Sequence, residues 1–144
     1  MNHSAFFDTN VLVYADDNLS PEKQQTAIEL FSRHRRQKTA ILSLQVLQEY
    51  FSAATRKLAL APEFAQQKVE LFARARVVRF EASDVVAAIE LHRLVRISFW
   101  DALIVYAARL GGASILYSED FQDGSTLGGV RIVNPFTSLR SSET

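Results

Sequence analysis

The chain has 144 residues, the length of one domain, and a chain of this size buries roughly two-thirds of its unfolded surface. Its apolar share of 48% and charged share of 22% exclude disorder over most of the length. Lys and Arg number 16, as do Asp and Glu, so no net field draws the chain to nucleic acid or an anionic membrane; cysteine is absent, which removes disulfides, thiolate metal sites and Cys nucleophiles.

Ala5-Phe6-Phe7 is a short apolar run and predicts a first strand. Ser20-Pro21-Glu22 opens a helix, with an N-cap and a Pro at the first helical position. That helix carries Ala27, Leu30 and Phe31 on one face and ends in Arg33-His34-Arg35-Arg36-Gln37-Lys38. This basic run either complements the helix dipole or takes RNA phosphate. Thr39 to Leu42 is the second strand. A helix from about Ser43 to Leu58 follows, with Leu47, Phe51, Ala54 and Leu58 as its apolar stripe. Pro62 starts a third helix, packed through Phe64, Val69 and Phe72. Val77 to Phe80 is the third strand. Ser83 caps a fourth helix that carries Val86, Ile89 and Leu94, and a fifth runs from Asp101 to Leu110 and stops at Gly111-Gly112. Ser114 to Tyr117 and Val130 to Val133 complete the strands. One domain over residues 1–137, followed by a polar tail from Ser138 to Thr144, is the expected organisation.

Strands alternating with helices imply parallel units with right-handed crossovers. The expected fold is α/β, a three-layer α/β/α sandwich around a mostly parallel sheet of about five strands. Met1-Asn2-His3-Ser4 has no basic stretch leading into a long apolar run, and no run reaches the ~20 residues that span a bilayer. A soluble, cytoplasmic chain without a membrane partner is expected.

Sheets of this kind bind ligands outside the carboxyl ends of their strands. Polar residues just after strands therefore carry the functional information. Asp8-Thr9-Asn10 follows the first strand, Ser43 the second, and the helix there carries Glu49. Asp101 opens the fifth helix, and Ser118-Glu119-Asp120 follows the fourth strand. Asp8, Glu49, Asp101 and Asp120 are expected at one crevice. Two such charges ~5 Å apart, at an effective dielectric of ~20, repel by on the order of 3 kcal/mol. Some must protonate, or a cation must bind. Without Cys, and with His only at positions 3, 34 and 92, that cation is hard: Mg²⁺, with Mn²⁺ as a substitute. Such an ion keeps waters and takes phosphate oxygens, the arrangement of metal-assisted phosphodiester hydrolysis.

Each of these residues also has a plainer reading. Asp8 can make an Asx-turn at a strand end. Glu49 falls with Gln45, Ser52 and Arg56 on a polar helix face that solvation alone explains. Asp101 lies three residues after Ser98, the spacing of a capping box. Asp120 and Asp123 precede Gly124 and suit a turn, with Asp123 also placed to assist or replace Asp120. His92 reads as a packed or surface histidine, and Phe99 and Trp100 as core, with Trp100 beside Asp101 also able to line the crevice. Apolar residues such as Leu60 and Phe64 are either core or an exposed groove for a partner helix.

The opening Ala5-Phe6-Phe7-Asp8-Thr9-Asn10-Val11-Leu12-Val13-Tyr14 resembles the start of a PIN-domain ribonuclease. Glu49, the segment Phe99-Trp100-Asp101-Ala102-Leu103-Ile104 and the segment Leu116-Tyr117-Ser118-Glu119-Asp120-Phe121 are similar to its later motifs, in the same order. The resemblance runs from about Ala5 to Phe136 and is nearest to the VapC-type toxins of bacterial toxin–antitoxin pairs. It implies a Mg²⁺- or Mn²⁺-dependent endoribonuclease that forms homodimers and is inhibited by a small antitoxin. Asp8, Glu49, Asp101 and Asp120 would then hold the metal. Asn10 would orient Asp8 or a water, and Ser118, where the family often has Thr, would serve as a supporting hydroxyl. Two alternatives stand beside this reading. One is a PIN-like interaction module without catalysis. The other is a haloacid-dehalogenase-type phosphatase, which wants a second Asp where this chain has Asn10 and a Lys soon after the fourth strand.

Overall fold

The computed structural model describes residues 3–137, so the tail expected from Ser138 onward lies outside the described residues. The elements run β1 (Ala5–Phe7), α1 (Thr9–Tyr14), α2 (Pro21–Arg36), β2 (Ala40–Ser43), α3 (Leu44–Arg56), α4 (Pro62–Phe72) and β3 (Arg76–Val78). Then follow α5 (Ala82–Val95), α6 (Phe99–Leu110), β4 (Ile115–Tyr117), β5 (Thr126–Leu127) and β6 (Val130–Val133). The strands form one sheet in the order β3-β2-β1-β4-β6-β5. Neighbours are parallel except β5 and β6, which are antiparallel.

Successive residues of a strand face opposite sides of its sheet, yet Ala5, Phe6 and Phe7 are all fully buried. Both faces of the sheet are therefore covered, and the expected α/β/α layering follows. Phe7 sets one face, packing edge-on against Phe31 and His34 of α2 and tilted against Tyr117 of β4. Ala27, Leu30, Phe31, Leu47, Ala54 and Phe72 are buried as their helical spacing predicts. Ser43 caps α3 by accepting from the Val46 amide, and Ser98 caps α6 by accepting from the Asp101 amide. No helix among the described residues is long and apolar enough to cross a membrane.

Several expectations need correction. The sheet has six strands, not five. The extra one, β5, is two residues long and turns into β6 through Gly128-Gly129, both at positive φ as a tight hairpin turn requires. A short helix, α1, follows Asp8 directly; six residues are too few to show a helical period. Helix α5 is capped by Glu81 in a box with Asp84, not by Ser83. Its Val86, Ile89 and Leu94 are 55%, 41% and 80% exposed rather than packed, because α5 is seated through Ala88 and turns its larger side chains outward. Helix α6 begins at Phe99, two residues before Asp101, and Trp100 is 65% exposed rather than core. Phe51 and Phe64 are also exposed, while Leu60 packs against the core. The basic run from Arg33 closes α2 just before β2 begins, at the amino edge of the sheet. That is the edge opposite the crevice, so the helix-dipole reading of those cations holds.

Candidate active site at the carboxyl edge of the sheet

Strands β1 and β4 lie side by side in parallel, with Phe7 opposite Tyr117. The next residue of each, Asp8 and Ser118, therefore emerges at the same place. From β1 the chain proceeds to β2 on one side and returns to β4 on the other, the switch point at which such sheets open a crevice. An open crevice of about 660 Å³ lies there. Asp8, Asn10, Glu49, Asp101 and Asp120 all line it, and Ser118 is buried beneath.

Asp8 is buried and doubly held. Its Oδ1 accepts from the Thr9 amide at 2.7 Å, which caps α1, and its Oδ2 accepts from the Ser118 hydroxyl at 2.8 Å. Burial pushes its carboxyl up to about 7 from 3.8; those two hydrogen bonds pull down, and the charges of Asp120 and Glu49 push up further. Asn10 joins the two loops. Its Nδ2 donates toward Asp120 Oδ2 at 3.0 Å, Ser118 Oγ at 3.3 Å and Asp8 Oδ2 at 3.5 Å, while its Oδ1 accepts from the Glu119 amide at 3.2 Å. Ser118 Oγ also accepts from the Asp120 amide at 3.1 Å.

Glu49 comes from α3, across α1. The Thr9 hydroxyl donates to its Oε1 at 2.8 Å, and Gln45, Ser52 and Arg56 of the same face line the crevice with it. The polar face of α3 thus borders the crevice rather than bulk water alone. Asp101 stands in the first turn of α6, and burial raises its carboxyl, partly offset by the Ser98 hydroxyl, with the Asp120 charge adding to the rise. Of the expected capping box, the Ser98 half is present, its hydroxyl accepting from the Asp101 amide, and Asp101 also lines the crevice. Asp123 is not part of the crevice lining. Its Oδ1 accepts from the Asn134 amide at 2.8 Å and its Oδ2 from the Thr137 hydroxyl at 3.4 Å, so it ties the loop after β4 to the segment after β6.

Sequence reasoning missed several neighbours. Thr9 tethers Glu49, a role signalled only by its place between Asp8 and Asn10. Glu119 lines the crevice but accepts from Tyr14 at 2.8 Å and from Lys23 at 2.7 Å, which offsets its charge. Arg56, Lys57 and Trp100 complete the rim. Gln45 has a buried Nε2 without a hydrogen-bond partner among the described residues, a donor that an incoming acceptor oxygen would satisfy.

The donor set is all oxygen, one carboxylate is buried against its ordinary preference for water, and its neighbours are like-charged. These features fit a hard divalent cation. Among the described residues, however, no three Asp, Glu or His side chains lie close enough to enclose an ion. Protein ligands would be few, and the residues suit an ion that relies on water and ligand oxygens for the rest of its shell.

Fold and crevice together define an α/β domain with an acidic site at the carboxyl edge of its sheet. Residues 5–122 match the PIN domain model, and the chain belongs to the PIN-domain family. No curated protein matches the chain. Solved structures do. VapC20 of Mycobacterium tuberculosis, described as a sarcin–ricin loop cleaving toxin, is 24% identical with a TM-score of 0.66 over 89% of this chain and 99% of its own. DNA-bound VapBC of Salmonella typhimurium is 20% identical with a TM-score of 0.68, covering 92% of this chain and 98% of that one. VapBC2 of Rickettsia felis, bound to a promoter fragment, is 21% identical with a TM-score of 0.66 over 90% and 97%. At these identities the likeness is one of fold.

Proposed function

We propose that this chain is a metal-dependent endoribonuclease, the toxin of a type II toxin–antitoxin pair. The carrying observation is the single crevice lined by Asp8, Glu49, Asp101 and Asp120, in which Asp8 is buried with its carboxyl pushed up to about 7. Membership of the PIN-domain family and the likeness to VapC toxins support the same reading.

The few protein ligands of Mg²⁺ or Mn²⁺ would come from among Asp8, Glu49, Asp101 and Asp120. When bound, the ion supplies neutralisation of the phosphate charge and activation of water. The chain's own residues do the rest. Ser118 and the Thr9 amide fix the two oxygens of Asp8, so its carboxylate cannot swing away from the crevice. Asn10 holds Asp120 toward Asp8 against their mutual repulsion, and Thr9 aims Glu49 from the far side of α1. With water as nucleophile and the P–O3′ bond broken, a proton going to the departing O3′, cleavage of RNA leaves a 5′-phosphate and a 3′-hydroxyl.

Two further parts belong to this proposal. The outward apolar residues of α5 suit a homodimer contact, since Val86, Ile89 and Leu94 are large, exposed and close in sequence. A shallow groove of about 500 Å³ between α3 and α4, lined by Leu44, Leu47, Phe51 and Val69, suits an apolar helix of a small antitoxin.

The test is incubation of the purified chain, freed of any co-purified inhibitor, with structured RNA in Mg²⁺, in Mn²⁺ and in chelator. Cutting that needs the metal, with 5′-phosphate ends, is the expected result. A 2′,3′-cyclic phosphate product, or cutting that persists in chelator, refutes the mechanism.

A further inference from the structure

Among the described residues, the large apolar side chains left in solvent include the outer face of α5, the α3–α4 groove, and Trp100, besides Leu19, Ile28 and Leu110. The first two are accounted for above. Trp100 is not, and its setting is specific. It lies in the first turn of α6 immediately before Asp101, it lines the acidic crevice, and it is 65% exposed. Helix α6 had no shortage of buried positions, since Ala102, Leu103, Ile104 and Val105 directly after it are all buried. The indole is also propped, with the Phe99 ring at 5.3 Å centroid to centroid and inclined by 59°. A large planar side chain held at the mouth of a polar crevice is a surface for another flat ring.

Helix α3 and its cap contribute cations. Arg56 and Lys57, at the end of α3, line the same crevice and are exposed. Among the described residues the ion pairs are Lys23 with Glu119 and Lys68 with Asp16, so neither Arg56 nor Lys57 is committed to a carboxylate. The crevice thus offers an aromatic plane at one rim, acids along its lining, and cations on the α3 wall. A polyanion with flat bases fits that sequence of surfaces, by the stacking-plus-backbone logic of single-strand recognition.

Resting on the ribonuclease reading above, we propose that Trp100 stacks an unpaired base of the RNA next to the phosphate that is cut, while Arg56 and Lys57 take a neighbouring phosphate. A base inside a duplex is already stacked on its neighbours and cannot lie on the indole. Trp100 acts here as a substrate-binding and positioning residue, not as a group that moves a proton.

Trp100 is the one tryptophan of the chain, so its fluorescence reports on this site alone. A short mixed-sequence RNA is titrated into the Asp8→Asn chain, once single-stranded and once annealed to its complement, with binding followed in parallel by anisotropy of the labelled RNA. Saturable quenching by the single strand but not by the duplex is expected. In the otherwise unchanged chain, Trp100→Ala should raise KM by about 5- to 150-fold, the range for loss of one stacked base, with kcat much less affected. Trp100→Phe should restore most of that loss. Circular dichroism verifies that each variant is folded. Single-strand binding without any change in fluorescence overturns the proposal, and so does an unchanged KM in Trp100→Ala. A fluorescence change driven by protein concentration alone, with Trp100→Ala becoming monomeric, also overturns it and assigns the indole to a protein contact. If the unaltered chain cuts no RNA with either metal, the ribonuclease reading fails, while the quenching titration still decides for or against stacking.

Discussion

Replacing Asp8 by Asn should abolish cleavage and yet make the metal-free protein more stable at alkaline pH. In the unfolded chain this carboxyl titrates near 3.8, and in the folded chain burial lifts it to about 7. Between those values the folded state keeps a proton that the unfolded state has released. The contribution of Asp8 to stability is thus fully present below about pH 4 and lost as pH rises through about 7, the reverse of an ion-paired acid. At ~1.4 kcal/mol for each pH unit across that window, the loss is at most about 4–5 kcal/mol.

Asn avoids the charge but gives up a hydrogen bond. One oxygen of Asp8 accepts from both Ser118 and Asn10, and an amide nitrogen in its place accepts from neither. That returns about 1–2 kcal/mol of destabilisation. The net effect is a gain of about 3 kcal/mol at alkaline pH, vanishing near about pH 5 and reversing below it. Urea unfolding in chelator, followed by circular dichroism across that pH range, measures both proteins. The two midpoint curves should cross. Parallel curves, or a variant less stable at every pH, would show that the buried carboxyl carries no charge penalty and would remove the main electrostatic argument for a cation there.

Added Mg²⁺ or Mn²⁺ should raise the unfolding midpoint of the unaltered chain at alkaline pH, and should do so much less in Asp8→Asn; equal shifts would place the ion elsewhere. Ser118→Ala removes the hydroxyl that donates to Asp8 and accepts from the Asp120 amide, so cleavage should fall about 10- to 100-fold, with intact secondary structure. Gly111→Ala places a Cβ 2.8 Å from Val78 Cγ2 and 2.9 Å from Ile41 Cγ2, so it should destabilise the junction of α6 with β2 and β3 by about 1–3 kcal/mol in urea unfolding. Ile89→Glu changes an exposed position, so monomer stability should move by about 0.5 kcal/mol or less, while sedimentation should show loss of the proposed self-association.

How far the sequence discloses this molecule depends on the reach of each signal. Strands β1, β2, β4 and β6 are readable because each is an apolar run bounded by polar or turn residues. The placing of Asp8 and Ser118 at one edge of the sheet is readable too, because both follow strands and parallel strands end at one edge; that β1 and β4 are neighbours, which buries Asp8 against Ser118, is not. What stays hidden depends on contacts between distant segments. Thr9 meets Glu49 only because α1 packs on α3, and Asn10 meets Asp120 only because β1 and β4 become neighbours across 110 residues of sequence separation. No local pattern encodes either contact. Helix α1 and strand β5 escape for another reason: six and two residues are too short to display a period.

The misassigned apolar residues obey a shared logic. Val86, Ile89 and Leu94 on α5, Phe51 and Phe64 on α3 and α4, and Trp100 on α6 all read as packing residues, with a crevice wall as the alternative for Trp100 and a partner groove for Phe64, and all are exposed. Periodicity records that a residue is suited to burial, not what buries it. In a chain this size the sheet has two faces, and the helices that reach it fill both, as the complete burial of β1 shows. A helix packed outside that layer keeps its apolar side chains without an internal surface to meet. Such residues carry a free-energy gain that is realised only when something else arrives. Three separate patches of this kind, at the crevice rim, along α5 and between α3 and α4, are therefore consistent with a molecule whose functional states are assemblies, with substrate, second copy and inhibitor each covering a different one. If all three patches could be made polar together without affecting RNA binding, self-association or inhibitor binding, that reading of the exposed residues would be wrong.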